Sequence, residues 1–222
     1  MNFLKKSQKL VKADKFLIGK KLAVAVFAII FIVTSSCSDD DTDEVQAQTE
    51  ELSQQEKDDL KFSREEEKLA RDVYLFSYEK YGETIFNSIS NSEQQHMDMI
   101  LNLLNTYNLE DPASQERGVF SNQALQNFYN DLTAQSNISL IEAYKVGALI
   151  EDLDINDLDS IQSRTTKSDL LNVYDKLECG SRNHMRSYNG ALVVNGVNYV
   201  PEYISLEKFN EIITSANEQC GR

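Results

Sequence analysis

The chain has 222 residues, enough for one packed domain with length to spare. Two prolines, eight glycines and no tryptophan leave few interruptions to helices and favour them over strands. A formal net charge of −14 sets the chain against nucleic acid and anionic lipid headgroups and draws cations toward it.

The positive charge is concentrated at the start. Lys5, Lys6, Lys9, Lys12, Lys15, Lys20 and Lys21 precede or flank a twelve-residue apolar run over 22–33. Twelve residues are too few to cross a bilayer, which takes about 20, but they suit the core of a signal peptide. Thr34-Ser35-Ser36-Cys37 comes next. Small residues before a cysteine resemble a bacterial lipoprotein cleavage site, where the cysteine becomes the lipidated first residue; Thr34 stands where leucine is usual. Two readings are open: a lipid on Cys37, or ordinary cleavage nearby with Cys37 incidental. Asp39-Asp40-Asp41-Thr42-Asp43-Glu44 then resembles the export signals of surface lipoproteins in Gram-negative cells. It also reads as a solvated, self-repelling tether. The expectation is a leader over 1–37, an acidic linker over 38–52 and a domain over 53–222. The lipid would hold that domain to the outer membrane at the cell envelope, facing either the periplasm or the exterior.

Without residues 1–37 the chain carries 15 Lys and Arg against 35 Asp and Glu, a net charge near −20. Cys179 and Cys220 remain. Outside the cytoplasm such a pair tends to be oxidised, so the readings are a disulfide tying the tail to a helix or two unrelated thiols. No Cys-x-x-Cys occurs, which excludes a rubredoxin-like iron site and a thioredoxin motif.

Helix starts are legible beyond the linker. Ser53 with Glu56, and Ser63 with Glu66, read as capping boxes. The first helix is predicted over 53–81, stopping at Gly82, and the second over 84–107. The stretch 108–137 is a long connection, broken at Asp111-Pro112 and Gly118, with a short amphipathic helix over 122–134. A third long helix is predicted over 139–161 and a fourth over 168–189. Asn195-Gly196, flanked by valines, signals a small hairpin, and a last short helix begins at Ser205. Short turns make hairpins of the first and last long pairs, and about 30 residues cross between them. An all-α, four-helix bundle of two antiparallel hairpins joined by one long crossover is the ferritin-like arrangement.

Polar residues interrupt the apolar seams of this bundle. The second helix reads Phe86, Ile89, Glu93, His96, Ile100, Leu103, Tyr107 at core spacing. The third long helix reads Ile141, Tyr144, Ala148, Glu151, Ile155, Leu158, with Asp154 one turn beyond Glu151. The fourth reads Leu170, Tyr174, Leu177, Ser181, His184, Tyr188. The chain has two histidines, and both fall on these seams. Unpaired burial of such groups costs several kcal/mol each, and a metal cluster compensates them directly: carboxylates with imidazole suit iron, manganese or zinc. The competing reading is a buried salt-bridge network with Arg71, Arg182 or Arg186. On the first helix the stripes Phe62, Glu66, Leu69, Val73, Phe76 and Leu60, Glu67, Ala70, Tyr74, Tyr81 fit a core equally well, so either glutamate faces inward.

Glu67-Lys68-Leu69-Ala70-Arg71-Asp72-Val73-Tyr74 resembles the first metal-binding helix of rubrerythrins and bacterioferritins, and Ser92-Glu93-Gln94-Gln95-His96 their second-helix Glu-x-x-His. With Gly147-Ala148-Leu149-Ile150-Glu151, Asp154-Ile155-Asn156-Asp157-Leu158 and Ser181-Arg182-Asn183-His184, the set resembles a ferritin-like family classed as domain of unknown function 2202, over roughly 52–215. The resemblance implies Glu67, Glu93, His96, Glu151 and His184 as ligands of two metal ions, with Tyr74 and Tyr188 beside them. Where those proteins carry a second bridging glutamate, this chain has Ser181. Either Asp154 supplies the missing carboxylate, or one metal is tight and the other weak.

The resemblance implies a dimetal, iron-first oxidoreductase or metal-oxidising protein acting on O2 or peroxide, drawing any electrons from an external donor. The alternatives are a metal-sequestering lipoprotein without turnover and a surface interaction module whose buried polar groups only fix helix register.

Overall fold

The computed structural model describes residues 51–221, so the leader, Cys37 and residues 38–50 of the linker lie outside the described residues. Six helices succeed one another: α1 (Gln54–Tyr81), α2 (Thr84–Thr106), α3 (Gln123–Ser136), α4 (Leu140–Gln162), α5 (Ser168–Val194) and α6 (Leu206–Thr214). No strand occurs among the described residues. None of these helices is long and apolar enough to cross a membrane.

Local chemistry sets the ends. Ser53 and Glu56 close a reciprocal capping box on α1, with Ser53 N–H donating to Glu56 Oε2 at 2.8 Å and Glu56 N–H to Ser53 Oγ at 3.2 Å. The second expected box does not form: Ser63 and Glu66 lie buried inside α1, because the helix has already started ten residues earlier. Gly82 ends α1 at φ 71°, a left-handed position that glycine takes without penalty. The Asn195-Gly196 pair ends α5 rather than turning a hairpin. Gly196 sits at φ 73°, with its N–H bonded to Val193 O and that of Val197 to Leu192 O, the double bond of a Schellman cap. The left-handed preference that suits a tight turn suits a helix stop equally. The structure also carries α5 through Gly190 to Val194, past the predicted end at 189.

The two hairpins α1/α2 and α4/α5 pack together with α1 against α4 and α2 against α5, and α6 lies on α5. Leu52, Leu60, Ile100, Leu104, Leu158, Leu170 and Leu177 fill one end of the bundle. Phe86, Tyr144, Tyr74 and Tyr188 fill the other in a chain of ring contacts with centroids 5.3–5.9 Å apart. The polar groups of the seams lie between these two apolar plugs.

The long crossover is fastened to the outer face of α1. Arg64 grips Asp111 with two hydrogen bonds, and Glu65 accepts the backbone N–H groups of Ser121 and Asn122. Lys68, fully buried, donates to Asp72 at 2.6 Å and to the Glu116 carbonyl at 2.9 Å, and lies over the Phe120 ring. Residues 63–70 of α1 are therefore buried all round. This explains why periodicity alone does not choose between Glu66 and Glu67. Cys179 and Cys220 form a disulfide, Cα–Cα 5.6 Å, which ties the tail back onto α5.

Candidate metal centre

Each long helix brings at least one donor to the same depth. Glu93 and His96 stand three residues apart on α2 and share a face; Glu67 comes from α1, Glu151 from α4 and His184 from α5. All five are buried, at most 7% exposed. His96 Nδ1 lies 2.8 Å from Glu93 Oε2 and 3.1 Å from Glu67 Oε2. His184 Nδ1 lies 2.9 Å from Glu93 Oε1 and 3.4 Å from Glu151 Oε2. The residues form two groups, Glu67–Glu93–His96 and Glu93–Glu151–His184, in each of which the donor atoms lie within 4.8 Å of one another. Glu93 belongs to both and turns one oxygen to each. The two imidazoles lie 5.6 Å apart, nearly stacked.

Burial and crowding set the electrostatics. Burial opposes the Glu93 carboxylate, but His184 and His96 outweigh it and hold the group well below the carboxylate range. Burial likewise works against charge on the histidines. The Glu93 and Glu151 carboxylates nevertheless push His184 up to about 10, and Glu67 and Glu93 push His96 well above its usual value. Burial raises Glu67 to about 7 despite His96. A cation held here would take the place of the imidazole protons that these carboxylates hold.

The surrounding side chains orient the donors. Tyr74 donates to Glu151 Oε1, and the Ser92 hydroxyl lies 3.0 Å from His184 Nε2, which leaves Nδ1 facing the carboxylates. The His96 ring rests directly on Gly180, where a Cβ would come 2.5 Å from Nε2. Ser92 was visible only as part of the Glu-x-x-His string. Gly147 was visible only as the start of the string ending at Glu151, and Gly180, a glycine inside a buried helix, is a signal that sequence reading left unused.

Asp154, one of the two readings for the missing carboxylate, lies close enough to the cluster to feel the charges of Glu67, Glu151 and Glu93. Its carboxylate accepts the Ser181 hydroxyl, and it stands in neither donor group. The hydroxyl that replaces a bridging glutamate engages the nearest acid on α4. Burial, then the charges of Glu67 and Glu151, push Asp154 far above the carboxylate range. Glu66 turns away from the histidines toward Asp157, and burial pushes it up in the same way. The competing arginine network does not reach these groups: Arg71 pairs with Asp72, and Arg182 and Arg186 with Glu218.

The residues fit a metal. Among the described residues Glu67 Oε1 is buried without a hydrogen-bond partner, so the fold leaves its lone pairs unused, and His184 Nδ1 faces only carboxylate oxygens. Three carboxylates and two imidazoles form the donor set of first-row divalent ions.

Known proteins resemble this chain over the same region. The chain is 47% identical over 169 residues to Uncharacterized protein MJ0754 of Methanocaldococcus jannaschii, covering 76% of this chain and 91% of the relative. It is similar to the crystal structure of hypothetical protein MJ0754, with a TM-score of 0.74 at 48% identity over 75% of this chain and 96% of that one. Residues 56–216, which contain every donor of the site, match the model of the Uncharacterized protein domain (DUF2202), and the chain belongs to that family.

Proposed function

We propose that this protein is a ferritin-like dimetal carboxylate protein that binds two iron ions and acts on O2 or peroxide. One observation carries the reading: Glu93 is shared by two Glu/His groups and offers a separate oxygen to each histidine. Glu67 and His96 would hold one ion, Glu151 and His184 the other, and Glu93 would join them. Two hairpins joined by a long crossover support the ferritin-like assignment. A pair of irons supplies two electrons together to an oxygen substrate. The chain's own contribution is position and dryness. Tyr74 fixes the Glu151 carboxylate, Ser92 the His184 ring and Gly180 the His96 ring, while the apolar plugs on either side exclude water. With no Cys-x-x-Cys in the chain, any reducing electrons come from an external donor.

A second reading, metal sequestration without turnover, is favoured by the burial of all five donors. Anaerobic iron loading and subsequent exposure to O2 separate the two. The oxidoreductase reading expects two irons per chain and oxygen uptake in proportion. Two irons with no uptake of O2 or peroxide leave sequestration, and no bound metal refutes both.

We also propose that Cys37 carries a lipid that places the domain at the cell envelope. Its support is the basic leader, the apolar run and Ser35-Ser36-Cys37. Cys37→Ser should release the protein into the soluble envelope fraction; a mutant processed normally and still bound to membranes disproves the anchor.

A further inference from the structure

Tyr188 is fully buried, and among the described residues its hydroxyl meets no partner at hydrogen-bond geometry; its polar neighbour is the Tyr74 hydroxyl, whose own proton goes to Glu151. Such a group normally finds one, so the exception calls for a reason. Tyr174 shares the property, but it lies in the apolar end among Leu170 and Leu177. Tyr188 lies beside the metal centre instead. It stands one helical turn beyond His184 on the same face of α5, and its ring is 5.3 Å from that of Tyr74, whose hydroxyl is committed to Glu151. The charged groups that act most strongly on the Tyr188 hydroxyl are Glu151 and Glu93, the two carboxylates of the His184 group.

The ring is also locked in place. It lies on the backbone of α4 at Gly147, where a Cβ would come 2.5 Å from Cε1 and 2.6 Å from Cζ. Phe86 packs against it with centroids 5.9 Å apart. A rigid phenol whose O–H makes no well-formed hydrogen bond, next to a donor group with the chemistry of a metal site, is a preorganised hydrogen-bond donor.

We propose that the Tyr188 hydroxyl donates to a small exogenous acceptor, of the size and polarity of azide, bound at the Glu93–Glu151–His184 group. The inference rests on the proposed metal site and adds to it the residue that selects the ligand. The remaining open donor lies on this side of the cluster, so the two half-sites differ: the ligand belongs with His184, not with His96.

The test is azide titration of the cobalt(II)-loaded protein, monitored through the visible bands of the metal, with cobalt per chain measured in parallel. Tyr188→Phe should retain the cobalt of the wild type and bind azide about tenfold more weakly, the effect of one lost hydrogen bond. Gly147→Ala keeps the hydroxyl but displaces the ring, and should reproduce that loss at full cobalt. Unchanged azide affinity in Tyr188→Phe at full cobalt overturns the proposal alone. A phenolate-to-iron charge-transfer band in the ferric wild type that Tyr188→Phe abolishes overturns it too, since Tyr188 would then be a ligand. A wild type that takes up no cobalt overturns the metal reading and this proposal with it.

Discussion

Asp152 and Glu93 are both buried acids, 0% and 2% exposed, yet the bundle treats them oppositely. Asp152 is fully served by the fold. Tyr199 donates to it at 2.8 Å, and the backbone N–H groups of Glu202, Tyr203 and Ile204 converge on the same carboxylate. Asp72 is similar, with Lys68, Arg71 and the Gly118 N–H around it. These acids hold pieces of chain together: Asp152 the tail segment, Asp72 the crossover. Among the described residues Glu93 receives no backbone donor and no lysine or arginine. It faces two imidazoles, which face two further glutamates. A buried charge is expensive unless it is paired, and here the pairing is among groups that could together hold a metal. The comparison teaches how to separate structural from functional acids in one core. The former are answered by obligatory donors of the fold, the latter by one another.

Breaking the shared residue should have the largest effect. Glu93→Gln removes a charged oxygen from both donor groups at once, so metal per chain should fall below about a tenth of the wild-type value. Helical circular dichroism should stay near wild type, because the amide fits the same space. Near-normal metal content in this variant would mean that the two groups do not share Glu93.

The histidines should differ in degree. His96→Ala leaves Glu67 and Glu93 in its group, with Glu93 on the same face of α2, so residual binding is expected there. His184 has only Ser181 three residues before it on α5, and Ser181 is committed to Asp154. A metal held there would therefore lean on carboxylates from other helices, and His184→Ala should empty that position almost completely. Elemental analysis of both variants beside wild type decides the matter. Full occupancy in both would make the histidines structural.

Asp152→Ala tests the other side of the comparison. It strands the Tyr199 hydroxyl and three backbone N–H groups, at a cost of about 3 kcal/mol if water reaches some of them. In a domain of this size that lowers Tm by about 10 °C. Metal per chain should stay at the wild-type value in thermal melts run with and without metal. A variant that loses metal in proportion to stability would show that the two kinds of acid are not separable.

The seams of α2, α4 and α5 were legible because those helices are buried on one face, and their polar interruptions, Glu93, His96, Glu151 and His184, stand out at core spacing. The first helix was not legible in the same way. Its outer face is covered by the crossover, so Arg64, Glu65 and Lys68 are as buried as Leu69, and the stripes blur. Only the likeness of the Glu67 to Tyr74 string to known metal helices singled out Glu67. Asn195-Gly196 misled because a left-handed pair serves a hairpin and a helix stop alike. The next residue decides between them, and Val197 returns its N–H to α5. Asp154 was visible as an acid near the site, but its capture by Ser181 depends on two helices meeting, which no single helix pattern encodes.

The smallest expected effect concerns an acid that the fold pairs at the surface. Glu218 in the tail accepts hydrogen bonds from Arg182 and Arg186. The Arg182 hydrogen bond is the main cause holding its carboxyl down at about 2, with Arg186 adding to it. A depressed folded value means that the unfolded chain takes up the proton first. The contribution of Glu218 is therefore complete above the ordinary carboxylate value near 4.5 and is lost as the pH falls through about 2. Over that window the segment around Glu218 should loosen before the bundle does, while the Cys179–Cys220 bond keeps it attached. Amide exchange at Glu218, whose N–H donates to Asn183, reports the loosening. In Glu218→Gln the protection of this amide, taken relative to its intrinsic exchange rate at each pH, should be lower at neutral pH and flat across the acid range. A segment that loosens with the same acid profile in both proteins would assign the transition to another group.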